Sequence, residues 1–368
     1  MDFSLSPEQQ ALSDNVARYC ARDYDLSRRR EGMTSVSGMS RAQWAAFADL
    51  GWLGAGLDEA NGGFGGGALE NALIMEQAGR ALVVEPLLSC AIIALQTLAA
   101  LPPSATRDKL VASIVAGETL VTLAHGEAAA RGDRNWCASN AQRDGSHWLL
   151  TGTKTQVLGA AAADKLLVTA KTSDGLALFL LDRDGCGMLR HDYRLLDNHR
   201  ASDVVMSAAI AGELLAVGQT ASDAVDAGLD HGLIGMCAEA VGIMDYAITL
   251  TRDYLKTRQQ FGVTLNNFQA LQHRMADMLV ETELSRSILY AALSVIDGDA
   301  SSRTKAVSAM KAIVSSAAMF VGRNAVQLHG GIGITEDCVV SHLYRRLFSI
   351  SRLLGDEEAH LRRMARGG

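Results

Sequence analysis

The sequence predicts a mostly helical α+β protein, with a helical N-terminal domain, a middle antiparallel β domain and a C-terminal four-helix bundle. Helical periodicity at both ends of the chain and a block of short β-rich runs between them are the observations that predict this order. The composition agrees, because 48% hydrophobic and 20% charged residues with only 4 prolines in 368 are typical of a globular chain. We place the domains at residues 1–118, 119–216 and 217–368.

The N-terminal domain begins with a well-marked helix. In "SPEQQALSDNVARYCARDY", Ser6 is in the N-cap position and Pro7 in the first helical position, and apolar residues then recur at helical spacing. The later run "SRAQWAAFADLGWLGAGL" repeats the apolar pattern and ends on glycines. Both runs predict amphipathic helices.

The middle domain is predicted from short runs rich in β-branched and apolar residues, such as "HWLLTGTKTQVL" and "DKLLVTAKTSDGLALFLLD". Asp144-Gly145 and Asp174-Gly175 lie between such runs, and an Asp-Gly pair is a strong signal for a hairpin turn. Because no helical pattern alternates with these runs, a doubly wound nucleotide-binding sheet is disfavoured.

Helical periodicity returns after Gly218 and continues to the C-terminus. Two apolar stripes mark the first two helices of the predicted bundle. The first comprises Leu229, Leu233, Cys237, Ala240, Met244, Ala247 and Leu250, and the second Phe268, Leu271, Met275, Met278 and Leu279. The runs "SRTKAVSAMKAIVSSAAMFVGRNAVQL" and "CVVSHLYRRLFSISRLL" supply the third and fourth helices of a bundle.

Composition disfavours several classes of function. A net charge of −7 argues against a nucleic-acid partner. The 6 cysteines form no CxxC pair, and none of the 9 histidines has the spacing of a zinc-binding helix, so we expect neither a metal nor a disulfide. The start "MDFSLSPEQQ" is not typical of a secretion signal, and uninterrupted apolar runs are too short to span a membrane, so we expect a cytoplasmic protein without a membrane partner.

Two polar segments containing glycine interrupt the C-terminal helices: "TRQQFG" and "AVQLHGGIGITED". A guanidinium group neutralises phosphate, side-chain amides pair with base edges, and glycine allows a ligand to approach the backbone. These are the groups that would bind a dinucleotide. Each segment alone is also compatible with an ordinary polar helix end.

Together with the order of helices and strands, these segments closely resemble the acyl-CoA dehydrogenase family. The similarity also includes "LGWLGAGLDEANGGFGGG" and "LLTGTKTQV", and covers nearly the whole chain. It implies FAD as cofactor and α,β-dehydrogenation of an acyl-CoA thioester. In the family, the two segments contact the ADP half of the FAD bound by a neighbouring subunit. By this resemblance the FAD-binding residues are Arg258, Gln260, Phe261, Gln269, Gln327, Gly330 and Gly331.

The family needs a carboxylate base, and this chain departs from the pattern at both positions that members use. Counting from Arg345 places Leu354 where the glutamate is expected, followed by Gly355 and Asp356. The alternative position, on the helix before the arginine segment, is Gly232. The catalytic residue is therefore unassigned. Glu239 and Asp356 are weak candidates.

The segments that contact the flavin ring in the family also differ. The loop "LAHGEAAARGDRN" retains only Asp133, and Gln156 and Leu158 replace the usual aromatic and hydroxyl residues. We therefore interpret the chain as resembling the small subunit of bacterial heteromeric acyl-CoA dehydrogenases, such as the pimeloyl-CoA or steroid side-chain types. It would lend contacts to FAD shared with a catalytic partner in an α2β2 assembly, and electron-transferring flavoprotein would be the acceptor.

Two alternatives remain open. One is a self-sufficient homotetrameric dehydrogenase whose base has moved to Glu239 or Asp356. The nitroalkane-oxidising branch of the family uses an aspartate, but at the position that is Leu354 here. The other alternative is a flavin-free scaffold or binding protein that has kept only the fold.

Overall fold

The structure is a computed structural model, and it describes residues 4–365. Its contacts divide the chain into two compact units. One consists of Met1–Asp25, Ala72–Val83 and Leu233–Gly368, and the other of Leu26–Asn71 and Val84–Gly232. We refer to them as the helical unit and the sheet unit. The predicted domain boundaries at 118/119 and 216/217 stay a prediction.

Within the part of the chain that the structure describes, six α-helices precede the sheet. They are α1 (Pro7–Asp23), α2 (Leu26–Thr34), α3 (Arg41–Asp49), α4 (Ala68–Ala81), α5 (Leu95–Ala99) and α6 (Ala105–Val115). The side chain of Ser6 accepts from the backbone N–H of Gln9, and the Gln9 side chain accepts from the Ser6 N–H, so the predicted N-cap is a complete capping box. A fully buried π-helical segment, Leu87–Ala94, leads into α5.

Eight strands form one sheet in the sheet unit. They are β1 (Val121–Ala124), β2 (Asn140–Asp144), β3 (His147–Leu158), β4 (Lys165–Thr172), β5 (Gly175–Asp182), β6 (Met188–Arg194), β7 (Arg200–Ala211) and β8 (Glu213–Val217). Seven of them follow the order β6-β7-β3-β2-β4-β5-β8, and β1 pairs with β4.

Both predicted hairpins are confirmed. In the first, Asp144 pairs with His147, and in the second, Thr172 pairs with Gly175. Most strand pairs of this domain are antiparallel, as predicted, but β4 lies parallel to β1 and to the start of β2. The chain passes through the β2–β3 hairpin before it returns as β4, and this crossover gives β4 the same direction as β1.

The C-terminal part is helical, as predicted. It comprises α7 (Gln219–Thr257), α8 (Gln269–Leu293), α9 (Ala300–His329), α10 (Val339–Arg352) and a short α11 (Glu357–Ala365). A two-stranded hairpin of β9 (Gln259–Gln260) and β10 (Val263–Thr264) joins α7 to α8.

The predicted stripe on α8 is buried only in part. Met278 is completely buried, but Phe268 is 36% and Leu279 49% exposed, and Val280 and Leu284 are also exposed. The helix carries apolar residues on more than one face, and only one of these faces packs against its own unit. An exposed apolar surface therefore remains on the helical unit.

Two helical segments, Gln219–Thr257 and Ala300–Ile334, are long and apolar enough to cross a membrane by length and composition alone. Their most apolar windows are 72% and 61% buried within the structure. Buried core helices of globular proteins commonly pass the same test, so these two helices give little support to a membrane span.

Candidate functional site

A short hairpin presents the first polar segment. Gln260 pairs with Val263, which leaves Phe261 and Gly262 as a two-residue turn with φ angles of 56° and 82°. Positive φ at both central residues is typical of the type I′ hairpin turn. A bulky residue rarely adopts this conformation, and Phe261 is also 90% exposed. The backbone therefore holds an exposed aromatic ring at the hairpin tip.

Local contacts make this hairpin a defined structure. The N–H of Leu265 donates to the carbonyl of Arg258 at 2.9 Å, and the N–H of Arg258 donates to the carbonyl of Tyr254 at 2.8 Å. The ring of Phe268 meets that of Phe261 edge to face, with centroids 6.0 Å apart. The hairpin thus continues α7 directly and is closed at its base.

The structure brings the second polar segment next to the first. The ring of Tyr254, one turn before Arg258, stacks on His329, with centroids 4.5 Å apart and planes 20° from parallel. His329 ends α9 and immediately precedes Gly330. Its Nδ1 lies 2.9 Å from the Ala325 carbonyl, and burial lowers the pKa of His329, so the ring is neutral with its hydrogen on Nδ1.

Several side chains of this surface are available to a ligand. Within residues 4–365, the guanidinium of Arg258 and the amides of Gln269 and Gln327 make no hydrogen bond or ion pair, and all three residues are exposed. The amide of Gln260 is used locally, because it donates to the Gln259 carbonyl at 2.8 Å. We call Arg258, Phe261, Gln269 and Gln327 with Gly330 and Gly331 the grip surface.

The two glycines of the grip surface face open space. A Cβ built on Gly330 or Gly331 would have no heavy atom within 4 Å. Gly330 has a φ of +67°, which favours glycine, but Gly331 has no such backbone requirement. Packing within the described chain therefore does not explain Gly331, whereas close approach by a ligand would.

The C-terminal base position holds no carboxylate. Leu354 has a φ of 56°, and its carbonyl accepts from Nε2 of His360 at 3.0 Å. Asp356 caps α11, because its Oδ1 accepts from the backbone N–H of Ala359 at 3.0 Å, and it lies 3.5 Å from Arg352. The carboxylate of Asp356 is thus engaged in local structure.

Glu239 forms a buried, two-pronged ion pair with Arg346. The two N–O distances are 2.6 and 2.7 Å, and both side chains are about as buried as core residues. Because both carboxylate oxygens accept from the guanidinium, neither is placed to remove a proton from a substrate. The geometry therefore favours the structural role of Glu239 over its role as a base.

The loop that should contact the flavin ring is fastened by its own polar groups. Glu127 accepts from Lys154 at 2.6 Å and from the backbone N–H groups of Ala138 and Ser139. Burial alone would raise the pKa of Glu127, but these donors, with Lys154 foremost, lower it to about 2. Glu127 is therefore a structural anion that closes the loop between β1 and β2.

Gln156 and Leu158, which the resemblance also places at the flavin ring, make hydrogen bonds within the chain. Gln156 has a φ of 57°, and its N–H donates to Oδ1 of Asp203 at 3.0 Å. The Leu158 carbonyl accepts from the Thr122 hydroxyl at 2.6 Å. Neither residue offers the aromatic or hydroxyl contact that the resemblance would require.

At the other end of this loop, Arg134 reaches α7. Its Nη1 lies 3.1 Å from Asp226 and 2.8 Å from Asp230, two residues before Gly232. Its carbonyl accepts from Nε2 of His125 at 2.7 Å. Asp230, the carboxylate that precedes Gly232 most closely in the sequence, is thus engaged in an ion pair.

Sequence reasoning missed three residues that organise these sites: Tyr254, Arg346 and Arg134. Tyr254 could have been found, because it lies one helical turn before Arg258 and would face the same side. Arg134 follows the retained Asp133 directly, but nothing local indicates its partner. Arg346 carries no signal of pairing with Glu239 in the sequence.

The chain is similar to known proteins along almost its full length. Residues 6–118 match "Acyl-CoA dehydrogenase, N-terminal domain" and residues 222–368 match "Acyl-CoA dehydrogenase, C-terminal domain". The acyl-CoA dehydrogenase FadE12 of Mycobacterium tuberculosis is 29% identical over 362 residues, which cover 91% of this chain and 89% of that one.

Two solved structures of paired chains are also similar. A variant of the Tcur3481-Tcur3483 steroid ACAD is 30% identical with a TM-score of 0.89, covering 98% of this chain and 97% of that one. The ChsE4-ChsE5 complex from Mycobacterium tuberculosis is 25% identical with a TM-score of 0.90, covering 100% and 98%. From its helix–sheet–helix fold and these matches over both helical parts, the chain belongs to the acyl-CoA dehydrogenase family, whose members are FAD-dependent oxidoreductases acting on CH–CH donors.

Proposed function

We propose that this chain is a non-catalytic subunit of an FAD-dependent acyl-CoA dehydrogenase, and that it lends its grip surface to FAD bound by a catalytic partner. The observation that carries the proposal is a contrast within one unit. The grip surface is formed, and among the described residues 4–365 the guanidinium of Arg258 has no partner, whereas Leu354 stands at the expected base position in the same unit.

The residues of the grip surface fit the ADP half of FAD. The unpaired guanidinium of Arg258 suits a diphosphate, because charge-assisted contacts to phosphate oxygens are the stronger hydrogen bonds. The amides of Gln327 and Gln269 supply both donors and acceptors. The open backbone at Gly331 leaves room for close approach. In this role the chain binds and orients the cofactor.

FAD supplies the acceptor for the hydride that leaves the β-carbon of the acyl thioester. The α-proton must go to a base, and the two candidate carboxylates of this chain are poorly suited to receive it. Both oxygens of Glu239 are bound by Arg346, and Asp356 caps a helix. We therefore assign proton removal to the partner. This chain helps to retain FAD across the interface.

The chain's own flavin-ring site does not fit the cofactor. Glu127 is bonded to Lys154 within the sheet unit, and neither Gln156 nor Leu158 has the aromatic or hydroxyl side chain that the resemblance requires. This contrast supports one FAD for each pair of unlike chains. It disfavours the flavin-free scaffold, since a scaffold would need neither an arginine without a partner among residues 4–365 nor glycines that face open space.

The partner in this proposal is a catalytic acyl-CoA dehydrogenase chain, in an α2β2 assembly. The exposed apolar side chains of α8 and those of Ile332 and Ile334, which are 53% and 74% exposed, supply surface that an interface would bury. Two of the similar structures are complexes of paired chains, and one is named a steroid enzyme. On that basis we propose that the assembly containing this chain acts on a lipid or steroid acyl-CoA.

Two parts of the proposal rest on the family alone. Electron-transferring flavoprotein would reoxidise the flavin, and the assembly would work in the cytoplasm. The alternative of a self-sufficient homotetramer needs a displaced base, and the geometry of Glu239 and Asp356 gives it no support.

The test is the flavin content of the chain purified alone and after co-expression with a dehydrogenase chain encoded beside it. The proposal expects no stoichiometric FAD in the lone chain, and one FAD per pair of chains in the mixture, bleached by an acyl-CoA. One bleachable FAD per lone chain would refute the helper role and favour the homotetramer.

A further inference from the structure

A cavity of about 400 Å³ lies in the helical unit, between the middle of α9, the end of α10 and the start of α11. We call it the α9 cavity. Its volume is comparable to that of small-molecule sites, which is about 300–1,000 Å³. Two lining serines, Ser315 and Ser351, are buried, whereas the lining arginines Arg323 and Arg352 are exposed. The α9 cavity thus has a polar inner wall and a basic opening.

A buried ammonium group lies behind the inner wall. Lys311 is completely buried, and its Nζ donates to the Ser315 hydroxyl at 3.0 Å and to the Ile350 carbonyl at 2.6 Å. Burial lowers the pKa of Lys311 to about 8, so it is still largely charged at neutral pH. Because Ser315 accepts from Lys311, its own hydroxyl hydrogen is left to donate, and within residues 4–365 it donates to no acceptor. The inner wall therefore offers a donor that a positive charge supports.

The opening of the α9 cavity carries charged groups of both signs. Among the residues that the structure describes, the guanidinium of Arg323 makes no hydrogen bond or ion pair, and Glu357 makes no ion pair. Arg352 is engaged, because it lies 3.5 Å from Asp356, and its guanidinium carbon is 5.8 Å from the centre of the Phe348 ring. The charges of Arg352 and Asp356 therefore offset each other.

The remaining charges favour a ligand with one negative charge. Two cations, Lys311 and Arg323, face one anion, Glu357, so one positive charge is left uncompensated. Arg274 contacts the amide oxygen of Asn324 at 3.4 Å, but it is exposed and solvent screens its charge. A carboxylate matches this balance better than a phosphate dianion, and guanidinium groups bind carboxylates through two parallel hydrogen bonds.

We propose that the α9 cavity binds a small monocarboxylate with an apolar or aromatic body. The carboxylate lies between Arg323 and the Ser315 hydroxyl, and the body lies against Met319 and Phe320, which also line the cavity. Eight residues of helix separate Ser315 from Arg323 by about 12 Å along the axis. Long side chains on a helix point towards its N-terminus, which brings the guanidinium closer to Ser315. The site goes beyond the proposed function, since it uses no residue of the grip surface.

The experiment measures benzoate binding to the purified full-length chain by isothermal titration calorimetry at pH 7. Benzoate joins a carboxylate to a ring, benzamide has nearly the same shape without the charge, and inorganic phosphate has charge without an apolar body. The test variants are Arg323→Met and Ser315→Ala. The control is Lys305→Met, which removes a positive charge from an exposed position of the same helix that does not line the cavity.

We expect the wild-type chain and the control to bind one benzoate per chain, and to bind benzamide at least about tenfold more weakly. Arg323→Met should weaken benzoate binding by at least about tenfold, and Ser315→Ala should weaken it several-fold. Since Arg323 has no partner among residues 4–365, its replacement breaks no side-chain contact of the fold. Benzoate should also slow hydrogen exchange of residues 351–357 in the wild type, but not in Arg323→Met.

Three results would overturn the proposal. The first is a wild-type chain that binds no benzoate, or binds benzamide equally well. The second is an Arg323→Met variant that binds benzoate as tightly as the wild type. The third is phosphate that displaces benzoate and binds at least as tightly, which would refute the preference for a monocarboxylate. Each of these results leaves the helper role intact, because the FAD content of the assembly tests that role separately.

Discussion

Replacing Arg258 with alanine tests the grip surface most directly. Within residues 4–365 its guanidinium has no partner, so the substitution breaks no side-chain hydrogen bond or ion pair of the chain itself. The loss is confined to what Arg258 contacts outside the chain. A charge-assisted hydrogen bond is worth about 1.5–3 kcal/mol, which corresponds to a roughly 10- to 150-fold weaker retention of FAD.

The assay measures the release of FAD from the co-expressed assembly after dilution. Release is detected as a rise in flavin fluorescence. Because the contact is with phosphate at an exposed position, the difference between wild type and Arg258→Ala should shrink at high salt. Arg252→Ala is the matched control. Arg252 is an exposed arginine on the same helix, and it pairs only with its neighbour Asp253 at 3.0 Å.

If Arg258→Ala and Arg252→Ala release FAD at the same rate, Arg258 does not bind the cofactor and the reasoning fails. Thermal midpoints equal to that of the lone wild-type chain for both variants would show that neither change acts through folding. The grip surface is supported if the Arg258→Ala assembly loses much more flavin than the Arg252→Ala assembly, while the thermal midpoint of the lone Arg258→Ala chain is unchanged.

Three further predictions concern the tip of the hairpin, the buried ion pair and the effect of acid. Phe261→Gly should leave the unfolding free energy of the lone chain within about 1 kcal/mol of the wild-type value, since glycine suits the positive φ. The same change should weaken the assembly in sedimentation experiments. Unchanged association would exclude Phe261 from the interface. Glu239→Gln should lower stability by about 3 kcal/mol, because Arg346 loses its charged partner, and leave turnover of the assembly nearly unchanged; a collapse of turnover with FAD retained would make Glu239 the base. Burial lowers the pKa of His125 from 6.5 to about 4, so its contribution to stability is full above about pH 6.5 and is lost as the pH falls towards 4. As the pH is lowered through this range, the thermal midpoint should therefore fall less steeply for His125→Gln than for wild type. Parallel curves of midpoint against pH would refute this prediction.

Much of the fold follows from local pattern. The helix–sheet–helix order was predicted from periodicity, and the Asp144-Gly145 and Asp174-Gly175 hairpins were predicted from turn chemistry, because both features depend on neighbouring residues. The parallel pairing of β1 with β4 was not predicted. Strand direction depends on the crossover path, which no residue in either strand specifies.

The candidate site was predicted unevenly for the same reason. Arg258 and Gln327 were found because they belong to recognisable segments, but the contact between these segments depends on Tyr254 stacking on His329. The exposed side of α8 was mispredicted, since Leu279 is apolar yet not covered within its own unit. Apolar character alone does not distinguish a core face from a face that another chain would cover.

The sequence by itself determined that Leu354 and Gly232 cannot act as bases, because neither side chain can accept a proton. It also determined the break between helices at "TRQQFG" and the family to which the chain belongs. Only the tertiary structure decided which carboxylates are engaged: Glu239 by Arg346, and Asp230 by Arg134. With 34 basic and 41 acidic residues, charge permits very many pairings, and the packing of helices and loops selects the few that are buried.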